Sequence, residues 1–155
     1  MEQKIIAAGL IAVCPETGRF LLLKRREDIE YPGYWNLPGG SFDEKDKYPK
    51  ITAIREFREE TGYNGIVKIS KSPLYIDRSN CLDFYTYVGI LPWEFIPYLK
   101  GECARGDESL DYGWFPVNCK WEYNEKIMPS IITVLNLKRE ILEIIVNKFK
   151  DKNFE

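Results

Sequence analysis

The chain contains no histidine. That absence excludes Ser-His-Asp and Cys-His catalysis, histidine-ligated zinc and histidine as a general base. Acid–base chemistry must then come from carboxylates, Lys, Tyr, Cys or metal-bound water. Surplus positive charge is missing too. The 22 Lys and Arg against 24 Asp and Glu leave a net charge of −2, so no broad basic surface for nucleic acid is expected. Among Cys14, Cys81, Cys103 and Cys119 there is no CxxC pair, which argues against a zinc or redox motif. In a chain this long and apolar, buried and reduced thiols are expected. No apolar run reaches the roughly 18 residues of a membrane span. No A-x-A-like cleavage site follows Met1-Glu2-Gln3-Lys4, so a cytoplasmic protein without a signal peptide is expected. GxGxxG and P-loop patterns, internal repeats and low-complexity stretches are also absent.

What is present describes an ordinary globular domain. A length of 155 residues predicts one domain over 1–155, and 45% apolar with 30% charged residues supply one good core. Ile5 to Cys14 reads as a buried strand, Pro15-Glu16-Thr17-Gly18 as a turn and Arg19 to Lys24 as the second strand of a hairpin. Residues 25–34 read as loop, Trp35 to Leu37 as a short strand, and residues 41–47 as a charged loop. A helix is predicted from Tyr48 or Pro49 to Gly62, since proline suits a first turn and glycine a C-terminal cap. Ile66 to Asp77, Leu82 to Leu91 and Tyr112 to Val117 read as strands. Ser130 to Phe149 reads as one long amphipathic helix. Strands, a helix, more strands and a final helix predict an α/β (α+β) fold, a mixed sheet between helices.

The stretch Arg55-Glu56-Phe57-Arg58-Glu59-Glu60-Thr61-Gly62-Tyr63 is the most informative. Glu56, Glu59 and Glu60 stand at i, i+3 and i+4 and share a helix face. Like charges so placed weaken a helix by a few tenths of a kcal/mol per pair, roughly. A divalent cation would reverse that sign, because hard oxygen ligands suit Mg²⁺ or Mn²⁺. Taken alone, the cluster leaves two readings open, a metal site or a solvated acidic face. Ile51, Ala53, Ile54 and Phe57 are expected on the opposite, sheet-packing side.

Leu37-Pro38-Gly39-Gly40, followed by the run from Arg55 to Tyr63, resembles the Nudix box, G-x5-E-x7-R-E-U-x-E-E-x-G-U with U a bulky apolar residue. The upstream Leu21-Leu22-Leu23-Lys24-Arg25 and Trp35-Asn36, and the later Gly113-Trp114-Phe115, also resemble the family, so the likeness extends over residues 5–117. There are two departures. Gly40 to Arg55 is one residue longer than the pattern, and Asp46 stands where the first glutamate belongs, with Glu44 nearby as an alternative. The resemblance implies a Nudix-like α/β/α sandwich and hydrolysis of a diphosphate bond in a nucleoside diphosphate linked to another moiety. It implies Glu56, Glu59 and Glu60 as metal ligands, one of them helping to activate water, with the Gly40 carbonyl as a further ligand and Mg²⁺ (or Mn²⁺) as cofactor. Arg55, four residues before Glu59, is expected to pair with that carboxylate and orient it. Gly39 and Gly40 let the backbone approach metal and phosphate.

Further candidates carry plainer alternatives. Arg25 and Arg26 are read either as phosphate contacts or as surface charges. Glu108, between Asp107 and Asp111, is read as an additional metal ligand or as part of a charged loop. Tyr31, Tyr34 and Trp35 are read as base-stacking residues or as core and rim. Trp93, Phe95 and Tyr98 are read as packing or as an exposed patch for a ligand or a second copy, giving a monomer or homodimer. The expected partner is a small nucleotide: a triphosphate, a dinucleotide polyphosphate, a nucleotide sugar or, less favoured by the charge, a capped RNA end. The alternative function is a Nudix-fold module that binds a nucleotide and regulates a partner.

Overall fold

A computed structural model of the chain describes residues 3–26, 30–99 and 109–150. In chain order the elements are β1 (Ile5–Cys14), β2 (Arg19–Arg25), β3 (Trp35–Asn36), β4 (Gly39–Ser41), a 3-10 turn (Glu44–Asp46), α1 (Pro49–Thr61), β5 (Lys68–Ile69), β6 (Tyr75–Arg78), β7 (Leu82–Ile90), β8 (Ser109–Pro116), α2 (Pro129–Leu137) and α3 (Arg139–Phe149). The described strands form one mixed sheet flanked by helices, as expected.

β1 organises that sheet. On one side it runs parallel to β7 along its length, from Ile5↔Leu82 to Val13↔Ile90. On the other side, the predicted hairpin turn returns the chain through Gly18 at φ 69°. β2 stays on β1 for two pairs only, Val13↔Phe20 and Cys14↔Arg19. It then continues along β8 and β3. The edge of β1 that β2 leaves is taken by β4, in the register Ala7↔Ser41, Ala8↔Gly40 and Gly9↔Gly39. Small residues make this possible: a Cβ on Gly39 would lie 2.6 Å from the Ala8 carbonyl oxygen. The Pro-Gly-Gly segment is therefore a strand wedged into the sheet.

Alternation along β1 and β2 sends side chains to two cores. Ala8, Leu10, Leu21 and Leu23 join Ala53 and Phe57 of α1 on one face. Ile11, Val13, Phe20 and Leu22 join Ile131, Leu135 and Leu142 of α2 and α3 on the other. No described helix is long and apolar enough to cross a membrane. Among the described cysteines, Cys14, Cys81 and Cys119 are free, as expected, but only Cys14 is buried: Cys81 is exposed and Cys119 half-buried, while Cys103 lies outside the described residues.

Four local expectations are corrected. The run 66–77 breaks into two short strands, β5 and β6, both paired with β7. The charged loop at 41–47 contains the 3-10 turn, closed by a capping box in which the Asp43 side chain accepts from Lys45 N–H and Asp46 accepts from Asp43 N–H. The C-terminal helix is two helices with Lys138 between them at φ −109°, ψ 12°. Ile131, Leu135, Leu142 and Val146 stay in helical phase across the break, so periodicity cannot reveal it. The Asn136 side chain bonds both ways to the Trp121 backbone, at 2.9 and 2.8 Å, and fixes the end of α2 just before the kink. In α1, Ile51 is exposed, and Thr52 and Thr61 are buried beside Ala53 and Phe57.

Phe57 is fully buried and meets the rings of Tyr63 and Phe95 at 5.6 and 5.9 Å. Phe57→Ala is expected to lower stability by about 3–5 kcal/mol in urea unfolding, the range for truncating a core aromatic.

Candidate active site

The site is built where α1 faces β4. Pro49 opens the helix at its first turn, and Gly62 closes it in the left-handed conformation (φ 72°, ψ 5°), its N–H bonded to the Arg58 carbonyl at 2.9 Å. Both ends match the sequence reading. The glutamates do not share one solvent side, however. Glu56 leans against β4 so closely that a Cβ on Gly40 would fall 2.5 Å from its Cδ. Glu60 accepts a hydrogen bond from the Gly39 N–H at 3.3 Å. Only Glu59 stands outside, with its side chain 58% exposed. Two of the three carboxylates thus occupy the gap between helix and glycine strand, and the apolar and acidic faces of α1 are contiguous rather than opposed.

Arg55 ties these groups together. Its Nε donates to Asp46 Oδ1 at 2.8 Å and its Nη2 to Asp46 Oδ2 at 2.9 Å, a bidentate pair. Nη2 also donates to the Ser41 carbonyl at 3.1 Å. Nη1 reaches Glu56 Oε1 at 3.1 Å and Glu59 Oε2 at 3.3 Å. All five guanidinium N–H groups have a partner, and three acids lie around one cation. The expected Arg55–Glu59 pair is present, but it is the longest of these contacts.

Asp46, not the exposed Glu44, takes the position opposite Arg55. It is buried, and its Oδ2 also accepts from the Asp43 N–H at 3.0 Å and the Thr52 hydroxyl at 2.8 Å. The Arg55 guanidinium holds the Asp46 carboxyl well below the usual carboxylate range, against the opposing effect of burial. The same hydrogen bonds raise the Arg55 pKa. Thr52 and the Ser41 carbonyl were not anticipated from sequence. Asp43-x-x-Asp46 is a readable capping pattern that announces the turn, whereas nothing local marks Thr52.

Other candidates lie elsewhere. The Arg25 Nε donates to the Glu30 carbonyl at 2.9 Å. Trp35 pairs with Lys24 and packs on Phe115 at 5.2 Å, in the core on the α2–α3 side of the sheet, opposite α1. Tyr31 and Tyr34 stack edge to face at 5.4 Å. Phe95 is packed between Tyr63 and Trp114, while Trp93 and Tyr98 are exposed. Glu108 and Asp107 fall outside the described residues.

The donor types fit a divalent cation: carboxylate oxygens of Glu56 and Glu60 beside the backbone of a glycine strand. Among the described residues, no group of three or more His, Cys, Asp or Glu side chains stands close enough together to hold a metal ion. Glu59 is exposed and held by a long ion pair, so its rotamer is the easiest of the three to change.

The NUDIX domain family model matches residues 3–126, and the chain belongs to that family. Members of that family are generally hydrolases of phosphoric anhydrides that use divalent metal ions. Over 56 residues, 36% of the chain, it is 41% identical to the CMP-5'-(N-acetyl-N-hydroxy-3-aminopropyl)phosphonate hydrolase of Streptomyces rubellomurinus. That stretch spans 27% of the relative's own length. Among solved structures, a NUDIX hydrolase from Nitrosomonas europaea superposes with a TM-score of 0.67 at 20% identity, over 90% of this chain and 72% of that one. A Nudix hydrolase from M. smegmatis does so with a TM-score of 0.66 at 18% identity, over 99% and 92%.

The two adjacent glycines predict different failures. Gly39→Ala meets backbone at 2.6 Å and is expected to lower the unfolding midpoint in urea. Gly40→Ala meets the end of a side chain and is expected to leave the fold and displace Glu56, visible as lost turnover without lost helicity in circular dichroism. Asp46 has a lowered folded-state pKa, so its stabilising contribution is present above the unfolded value of about 3.9 and is lost as pH falls through the folded value. The stability gap between wild type and Asp46→Asn is therefore expected to narrow in urea titrations below pH of about 4.

Proposed function

We propose that this chain is a metal-dependent pyrophosphohydrolase of the cytoplasm. Its substrate is a small nucleotide in which a nucleoside diphosphate is linked to another moiety, as in a nucleoside triphosphate, a dinucleotide polyphosphate or a nucleotide sugar. The observation that carries this reading is the Arg55 hub, which pairs with Glu56 and Glu59 while Glu56 and Glu60 lie against the glycine strand. The named activity of the Streptomyces rubellomurinus relative, on a CMP-linked phosphonate, supports a nucleotide-linked substrate.

In this reading Glu56, Glu59, Glu60 and the Gly40 carbonyl hold Mg²⁺, with Mn²⁺ as a substitute. A divalent metal held there would neutralise phosphate charge and lower the pKa of a bound water. Arg55 orients two of the carboxylates through hydrogen bonds, and Asp46 holds Arg55 in place. The missing Cβ of Gly40 lets the Glu56 carboxylate lie against the strand, in space that a side chain there would take. None of these roles needs histidine, which agrees with the composition.

Glu59→Gln is expected to cut kcat/KM for phosphorylated-product release by about 100-fold or more, the scale of losing an acid–base or ligand group. Its Tm should stay near wild type, since the side chain is exposed. A panel of nucleotides assayed with Mg²⁺, with Mn²⁺ and with a chelator identifies the substrate. An undiminished rate in Glu59→Gln, or in chelator, contradicts the proposal.

A further inference from the structure

We propose that Thr52 is a positioning residue: its buried hydroxyl, acting through Asp46, fixes the plane of Arg55 and thereby the placement of Glu56 and Glu59. This rests on the metal-dependent reading above and concerns how this chain meets the family's geometry with a shorter acid.

The chain departs from the family pattern twice in one place, by an extra residue between Asp46 and Arg55 and by a carboxylate one methylene short. The extra residue is taken up at Lys47, which has φ 67° and ψ −42°. The Tyr48 N–H bonds to the Asp46 carbonyl across it at 2.7 Å. This is a γ-turn with positive φ at a non-glycine residue, a rare and strained arrangement. It turns the chain back sharply between Asp46 and the first turn of α1, and Asp46 ends up buried against the helix.

A carboxylate on so short a stem needs its plane set from outside. Oδ1 takes the Arg55 Nε, and Oδ2 takes Arg55 Nη2, the Asp43 N–H and the Thr52 hydroxyl. Thr52 is fully buried and lies one helical turn before Glu56. Among the described residues, it is the one side chain of α1 other than Arg55 that hydrogen-bonds to Asp46. It therefore couples the acid to the helix that carries the glutamates. Because the bidentate pair is planar, tilting Asp46 tilts Arg55 and swings Nη1 away from Glu56 and Glu59.

The test compares Thr52→Val, which keeps the shape and removes the hydroxyl, with Thr52→Ser, which keeps the hydroxyl. Full-length proteins are titrated with Mn²⁺ alone, followed by electron paramagnetic resonance of the free ion, and assayed on the best nucleotide of the panel, both well below Tm. Thr52→Val is expected to weaken Mn²⁺ binding and lower kcat by roughly tenfold each, the low end for groups that orient metal ligands, with KM little changed. Thr52→Ser is expected to restore both. A Thr52→Val protein that loses Tm but keeps wild-type Mn²⁺ affinity and kcat overturns the proposal. So does Thr52→Ser failing as badly as Thr52→Val. If Thr52→Val does not fold, Thr52→Ala is held to the same criteria. A wild type that binds Mn²⁺ but turns over no nucleotide defeats the hydrolase reading while the titrations still decide the role of Thr52. A wild type that does neither defeats both.

Discussion

One buried ion pair, Arg55 with Asp46, governs the arrangement of the site. A bare carboxylate under a helix is costly, and a cation with five donors on a surface of glutamates has many competing orientations. Joined in a planar, two-bonded contact, each removes the other's problem: the acid is neutralised and the guanidinium has one orientation. The remaining donors of Arg55 then point at Glu56, Glu59 and the Ser41 carbonyl. Repulsion between Glu56 and Glu59, unfavourable in an isolated helix, is met by a fixed positive charge between them.

That pair has meaning only because of how the sheet is cut. β2 abandons β1 after two residue pairs, and the freed edge admits β4 beside Ala7, Ala8 and Gly9. Glycines on both sides let the strands and the helix approach within distances that a Cβ forbids. The same contact that closes the sheet thus brings a side-chain-free backbone against Glu56 and Glu60. Stability and chemistry share these glycines, with Gly39 facing backbone and Gly40 facing the Glu56 carboxylate.

Much of this was legible beforehand, and the reasons differ by element. β1, β2, β7 and α1 carry strong local signals: apolar runs, a turn at Gly18, proline at the helix start and glycine at its end. The metal-type carboxylates and Arg55 were visible through their spacing. The break at Lys138 was not, because the apolar positions stay in phase across it. The inward lean of Glu56 and Glu60 was not, because helical periodicity gives a direction around the axis but not what stands opposite. Trp35 could be read as a base platform or as core and rim, and local sequence did not choose between them. Its register against Lys24 sends the indole to the other side of the sheet from α1, where Phe115 covers it.

By itself, the sequence determined the chemistry on offer: no histidine, three glutamates and an arginine within one helix, and a pair of glycines upstream. Those are properties of residue type and short spacing, and the chain carries them wherever it folds. Only the tertiary structure decided which acid answers Arg55, since Asp46 and Glu44 differ by two positions and the choice depends on a γ-turn at Lys47 and a threonine on the buried face of α1. It also decided that one glutamate faces solvent while two face glycine. Both outcomes follow from packing a helix against a strand, where distances of a single methylene separate a hydrogen bond from a gap, and no local pattern of residues encodes distances of that size.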